Sequence, residues 1–222
     1  MTTQELIGIL KQKGLKNLYH VNTVVTSLTF INNNGLFSRM AIENKGLMQT
    51  SQETDSSDKK LGIYNDIFFD SVDIHSRAKT LNFYGPVTFV FNIEVLNNFN
   101  IDNIKITRSN PKYWSEEMSD EERYIQNIIK DFQVGDFAQE ITIRNQSKPL
   151  SFEYLDYILL ENPKIKKTEY FDNAYSTLNE AIKKSDIKAP LNIRQCPEEC
   201  KCIEKYNSAK EGYTFHRFKT YQ

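Results

Sequence analysis

Four groups of residues along this chain carry side chains able to do chemistry. The first is Leu18-Tyr19-His20-Val21-Asn22-Thr23, followed after a short interval by Gly35-Leu36-Phe37-Ser38-Arg39. A histidine at a strand end can donate to a ribose hydroxyl, and an arginine beyond the next helix can neutralise a phosphate. The same residues also suit a strand-end cap and a surface cation. The second is Asp70-Ser71-Val72-Asp73-Ile74-His75-Ser76-Arg77, ahead of Tyr84-Gly85-Pro86-Val87. Asp73 and His75 share a face if the segment is extended. Two ligands do not make a metal site, so the segment reads as a solvated loop, or as one in which His75 and Arg77 meet an anionic ligand.

The third group is Gln139-Glu140-Ile141-Thr142-Ile143, read as part of a strand over 138–144. Alternation sets Glu140, Thr142 and Arg144 opposite Gln139, Ile141 and Ile143. A carboxylate on a strand is held rigidly, as an electrostatic catalyst must be, although an exposed strand glutamate has the same pattern. The fourth is Cys196, Cys200 and Cys202, with His216 further on. Three thiolates and an imidazole can close a tetrahedral zinc site. C-x-x-x-C-x-C is not a standard zinc spacing, however, so the thiols are read as free and no metal is assigned.

The elements that must position these groups follow from periodicity. Helical spacing marks 3–14, 26–34, 120–132 and 170–184, the third opened by Ser119 with Glu122 three residues on. Strands are expected over 15–21, 66–69, 87–93 and 138–144, with 152–159 a strand or short helix. Residues 50–60 contain no apolar side chain and read as a loop, and 189–222 as a polar, cysteine-bearing tail. Gly85-Pro86 marks a turn before the strand over 87–93. Helices and strands mix without regular βαβ alternation, which predicts an α+β fold. Neither Gly-x-Gly-x-x-Gly nor a P-loop occurs, so nucleotide chemistry on those two platforms is excluded.

Composition sets the outer limits. At 222 residues and formal net charge -1, the chain fits one domain with at most an appendage, and it is not a basic nucleic-acid coater. No apolar run approaches the roughly 18 residues of a membrane span. No signal peptide is expected from the start of the chain, and an odd number of cysteines is no disulfide framework, so a cytoplasmic location is expected. Twelve Tyr and fourteen Phe supply a core, with some left to stack on a base.

Taken in order, Tyr-His-x-x-Thr, Gly-Leu-x-Ser-Arg and the late Phe137-Ala138-Gln139-Glu140-Ile141-Thr142-Ile143, followed by Leu155-Asp156-Tyr157-Ile158, carry a resemblance. The chain resembles the ADP-ribosyltransferase superfamily, and within it the DarT type, which modifies nucleic acid and acts as a bacterial toxin. The resemblance implies an α+β fold of two small packed β-sheets that form an NAD cleft with flanking helices. It covers a catalytic domain over 1–165, and 166–222 is expected as a helix and tail packed on the same domain. NAD is the implied substrate. Glu140, Arg39 and Arg77 are the implied catalytic residues. Tyr19, His20, Asn22, Thr23, Arg39, His75 and Tyr84 are the implied NAD contacts, with Tyr64 or Tyr84 stacked on nicotinamide. The implied acceptor is a base of single-stranded DNA or RNA, with Lys164, Lys166 and Lys167, or Lys183 and Lys184, tracking the backbone. A toxin or phage-defence role and a neutralising antitoxin follow. Two other readings stay open: a nuclease-type toxin using His20 or His75 as general acid and base, and a non-catalytic nucleotide-binding protein.

Overall fold

A computed structural model describes residues 1–162, 169–196 and 199–220. The chain opens with α1 (Thr3–Gln12), capped by Thr2 and Glu5 in a reciprocal pair, and enters β1 (Asn17–Asn22). The next helix, α2 (Val24–Asn32), is buried from Val24 to Ile31. A helix without a charged residue and buried on every side belongs inside a domain, and here the sheet and the C-terminal helices cover it.

Short elements follow: β2 (Gly35–Leu36), α3 (Arg39–Asn44), α4 (Asp55–Lys60), β3 (Ile67–Phe69) and α5 (Ile74–Ala78). Then come β4 (Val87–Asn92), β5 (Ile104–Ile106), α6 (Asp120–Arg123), α7 (Ile128–Asp131), β6 (Ile141–Ile143), β7 (Leu150–Ser151) and β8 (Leu155–Leu160). The last part holds α8 (Glu169–Lys184), β9 (Leu191–Ile193), α9 (Cys202–Ser208) and α10 (Glu211–Phe218).

The strands form a four-stranded sheet in the order β1-β4-β8-β9, a three-stranded sheet β3-β6-β5, and the pair β2-β7. β4 is buried on both faces, as its unbroken apolar run predicts. It pairs antiparallel with β1 and β8, while β8 and β9 run parallel. A single bridge between Tyr19 and Asp70 ties the two larger sheets together. Phe30, Phe69, Phe89 and Phe91 fill the space beside that junction in edge-to-face contacts near 5.8 Å. The α+β class and the two small sheets with flanking helices are as expected from sequence.

Three expectations change. The helix over 120–132 is two short helices, because Tyr124 leaves the helical path to bridge Thr107 and bury its ring against Trp114 at 5.3 Å. Burying a large aromatic and pairing a sheet edge outweighs continuing the helix. The polar stretch 50–60 is not all loop, since α4 forms in it. The tail is not merely polar: Cys200, Cys202, Tyr206 and Phe218 join the same apolar core as Leu6 and Leu28. Ala174, Leu178 and Ile182 line the buried side of α8 at a spacing of four residues, and that side faces the same core. Among the described residues, no helix is long and apolar enough to cross a membrane.

Candidate active site

A cleft of about 960 Å³, open to solvent, lies where the two larger sheets meet. β1 sends Tyr19, His20 and Asn22 into it. Pairing of β1 with β4 places His20 opposite Phe89, so the imidazole packs between Phe30 and Phe69 at 5.9 and 5.8 Å. Its Nδ1–H donates to the Phe68 carbonyl at 2.8 Å, and Nε2 accepts from the Asn22 amide at 2.9 Å. Burial pushes the His20 pKa down to about 4. The ring is therefore neutral, with both nitrogens engaged, which suits a positioning group and not a proton shuttle. The Asn22 side-chain oxygen is buried without a partner among the described residues, and Asn22 lines the cleft. Such an oxygen is ready to accept from a ligand hydroxyl or amide.

The Gly35-to-Arg39 segment works through each residue in turn. A Cβ at Gly35 would lie 2.7 Å from the Pro149 side chain, so glycine lets β7 cross β2 closely. Leu36 and Phe37 enter the core, and the Ser38 hydroxyl caps α3 by accepting from the Ala41 N–H at 3.2 Å. Arg39 then begins α3 facing the cleft. Its Nη2 donates to Asp55 Oδ2 at 2.8 Å and to the Thr50 carbonyl at 2.9 Å, while Nε meets the other Asp55 oxygen. The guanidinium is thus held in a bidentate fork, with Nη1 unpaired among the described residues. Tyr64 lies beneath it, 6.0 Å from ring centroid to guanidinium carbon.

Glu140 precedes β6 and enters the cleft from the three-stranded sheet. Its backbone is clamped by Thr107, whose N–H donates to the Glu140 carbonyl at 2.9 Å and whose hydroxyl receives the Glu140 N–H at 2.8 Å. The strand expected over 138–144 is shorter: residues 138–140 and Arg144 lie outside it, and Ile141, Thr142 and Ile143 are all buried, so both of its faces are covered. Burial pushes the Glu140 carboxyl up to about 8, aided by the charges of Asp70 and Asp58. Asp70 rises to about 7, through burial and then Asp73. Carboxylates crowded together on a cleft wall favour a ligand whose nearest part is cationic.

Tyr84 closes one side. A Cβ at Gly85 would fall 1.9 Å from the Asn22 carbonyl oxygen, so only glycine allows this loop to lie on the end of β1. Burial, with help from Glu140 and Asp70, raises the Tyr84 hydroxyl to about 12, keeping it neutral.

Of the residues expected from sequence, the cleft gathers Tyr19, His20, Asn22, Arg39, Tyr84 and Glu140, together with Tyr64. Three others lie elsewhere. Thr23 is buried below the cleft, its hydroxyl 2.7 Å from that of Thr50, where it supports the turn bonded by Arg39. His75 does not meet an anionic ligand in the cleft. Its segment is the helix α5, not an extended chain, and this turns the ring inward to Glu161 at 2.5 Å. Arg77, on the same helix, is exposed and lies over the Phe137 ring at 5.8 Å. Lys164, Lys166 and Lys167 fall outside the described residues, while Lys183 and Lys184 are exposed at the end of α8.

Sequence reasoning passed over Asp55 and Asp58. The signal was present: Asp55-Ser-Ser-Asp58-Lys59-Lys60 puts acids in the first turn and bases in the last, as a helix dipole prefers.

No family model and no curated protein sequence matches the chain. Among solved structures, it is similar to Thermosipho africanus DarTG in complex with ADP-ribose, at 14% identity and a TM-score of 0.49 over 80% of this chain and 50% of that one. It is also similar to Thermus sp. 2.9 DarT in complex with ADP-ribosylated ssDNA, at 7% identity and a TM-score of 0.49 over 82% of this chain and 95% of that one. The chain thus spans half the length of the DarTG chain that it matches.

Proposed function

We propose that this chain is a mono-ADP-ribosyltransferase that cleaves NAD and transfers ADP-ribose to a base of single-stranded nucleic acid, as a bacterial toxin or defence effector. The observation that carries the reading is the convergence of His20 and Asn22 from β1, Arg39 from α3 and Glu140 from the edge of β6 on one cleft. Together they offer what NAD demands. Asn22, its amide fixed by the His20 ring, presents its side-chain oxygen to a ribose hydroxyl. Arg39 supplies positive charge for the pyrophosphate. Tyr64 or Tyr84 provides an aromatic face for nicotinamide.

The reaction breaks the bond between the anomeric carbon and the nicotinamide nitrogen. Nicotinamide leaves neutral, positive charge spreads over the ribose ring, and a base nitrogen or oxygen of the acceptor closes on that carbon and loses its proton. A fixed carboxylate stabilises this oxocarbenium-like charge. Glu140 has that place in the reading. Its proton, held in the empty cleft, is released when the cationic nicotinamide ring arrives beside it. Exposed aromatic rings next to cleft residues, Phe83 and Tyr113, are suited to stacking unpaired bases, and Lys112 lies over the Tyr113 ring at 4.7 Å. The nuclease reading loses support, since His20 has no unengaged ring nitrogen and His75 is outside the cleft.

The test mixes NAD labelled on its adenylate phosphate with the protein and, separately, single-stranded DNA, RNA or a cell protein extract. Label is expected on one nucleic acid, and Glu140→Gln should reduce transfer by at least about 100-fold while NAD binding changes little. No label on any polymer and no nicotinamide release would overturn the reading. A fully active Glu140→Gln variant would remove Glu140 from its role.

A further inference from the structure

The cysteine cluster and His75 meet at a point that the transferase reading leaves unused. Among the described residues, the ligand atoms of His75, Cys196, Cys200 and Cys202 all lie within 4.8 Å of one another. His75 Nε2 stands 3.4 Å from Cys196 Sγ and 3.3 Å from Cys200 Sγ, and Cys196 Sγ stands 3.5 Å from Cys202 Sγ. A sulfur–sulfur bond is about 2.05 Å long, so none of these contacts is a disulfide. Zinc with bonds of about 2.3 Å to sulfur and about 2.05 Å to nitrogen sets tetrahedral edges of about 3.8 Å and about 3.6 Å. Those three separations fall within a few tenths of an ångström of the edges, and the remaining pairs stay within 4.8 Å.

The surroundings favour a metal over loose thiols. Glu161 accepts from His75 Nδ1–H at 2.5 Å and also receives the Tyr206 hydroxyl at 2.6 Å. That bond fixes the tautomer and leaves the Nε2 lone pair directed at the sulfurs. A carboxylate behind a ligating histidine is the usual support of a zinc imidazole. His75, Cys200 and Cys202 are buried, so three thiols would otherwise surround one imidazole with little water to satisfy them.

We propose that His75, Cys196, Cys200 and Cys202 bind one structural zinc ion, with Glu161 holding the histidine. All four positions are filled by protein, which leaves no place for a reacting water. The proposal departs from the expectation of free thiols, and from a zinc site closed by His216, in two ways. The metal joins residues 121 or more positions apart along the chain, and the fourth ligand is His75 in place of His216, which is exposed on α10. The site clamps the C-terminal segment to α5, and α5 sits between Asp70 and Tyr84, two residues of the cleft. Two bonds reinforce the same junction: Lys201 N–H to the Lys79 carbonyl at 2.8 Å, and Lys79 to Glu199 at 2.8 Å. Binding zinc releases the three thiol protons to solvent.

The test uses the full chain, expressed with zinc in the medium and purified under reducing conditions without chelator. Metal analysis should find close to one zinc per chain, with the thiols slow to react until a strong chelator is added. Replacement by cobalt should produce the intense visible bands of a tetrahedral thiolate site. Cys200→Ser and His75→Asn should lose the metal or the cobalt bands, while His216→Asn should keep both. Because the ligand variants can unfold, the decisive measurement is on the unaltered chain. A metal-free chain with three fast-reacting thiols would overturn the site, as would a disulfide between Cys196 and Cys202 in freshly reduced protein. Retention of cobalt bands by His75→Asn together with their loss in His216→Asn would overturn the ligand set.

Discussion

Glu140 sits in a place that works against its own charge. Its carboxyl is pushed up to about 8 by burial and by Asp70 and Asp58. If the ionised form assists NAD cleavage, kcat/KM must rise with pH as the free protein loses that proton. Transfer rates measured between about pH 6 and about pH 9 at low NAD should climb with a midpoint near the Glu140 value. A flat profile would sink this account. The same shift bears on stability. A carboxyl with a raised folded-state pKa contributes fully below its ordinary value of 4.5, and that contribution fades as pH rises towards 8. Glu140→Gln should therefore raise the Tm, and by more at pH 8 than at pH 5. Each pKa unit realised corresponds to about 1.4 kcal/mol. Calorimetry at the two pH values decides it, and equal Tm values for variant and parent at both would refute it. The residues legible in the sequence were those with a local signature: His20 at a strand end, Arg39 after a glycine-led turn, Glu140 before a β-branched run. Asp58 and Asp70 gain their role from neighbours distant in the chain, and no local pattern records that.

At the scale of elements, the cleft depends on backbone approaches that side chains would prevent. The loop of Tyr84 lies on the end of β1 because Gly85 has no Cβ. Gly85→Ala should cost at least about 3 kcal/mol, as overpacking against rigid backbone does. Chemical denaturation would measure it, and NAD affinity should fall alongside; a change under about 0.5 kcal/mol would show that the loop gives way easily. The main helices and strands were readable because one period dominates each: α1 and α8 show helical spacing, and β4 is an unbroken apolar run. Pattern failed where a tertiary contact competed with it. Tyr124 broke an expected helix to reach a sheet edge, and α4 formed from residues with no apolar face, held by the Arg39–Asp55 fork and by Lys59 on Glu43 at 2.8 Å.

Across the whole molecule, the last helix reaches back to the cleft. Arg217 on α10 donates to the Phe83 carbonyl at 2.6 Å and also to the Asn82 carbonyl, holding the two residues before Tyr84. The guanidinium fork is needed to meet both carbonyls, so Arg217→Lys should loosen that loop. NAD affinity should drop several-fold with the sheets intact, by isothermal titration and circular dichroism; unchanged affinity would separate α10 from the cleft. None of this was legible in the C-terminal sequence, where polar residues dominate and the few buried ones follow no long period. Arg217 also lies far downstream of Glu140 in the chain. Proteins are made from the N-terminus onward, so His20, Arg39 and Glu140 have all been synthesised before the residue that pins the Tyr84 loop. On the proposed reading, order of translation becomes a safeguard: a half-made chain on the ribosome carries His20, Arg39 and Glu140 yet lacks the contact that pins the Tyr84 loop, and its hold on NAD stays weaker until synthesis has passed α10.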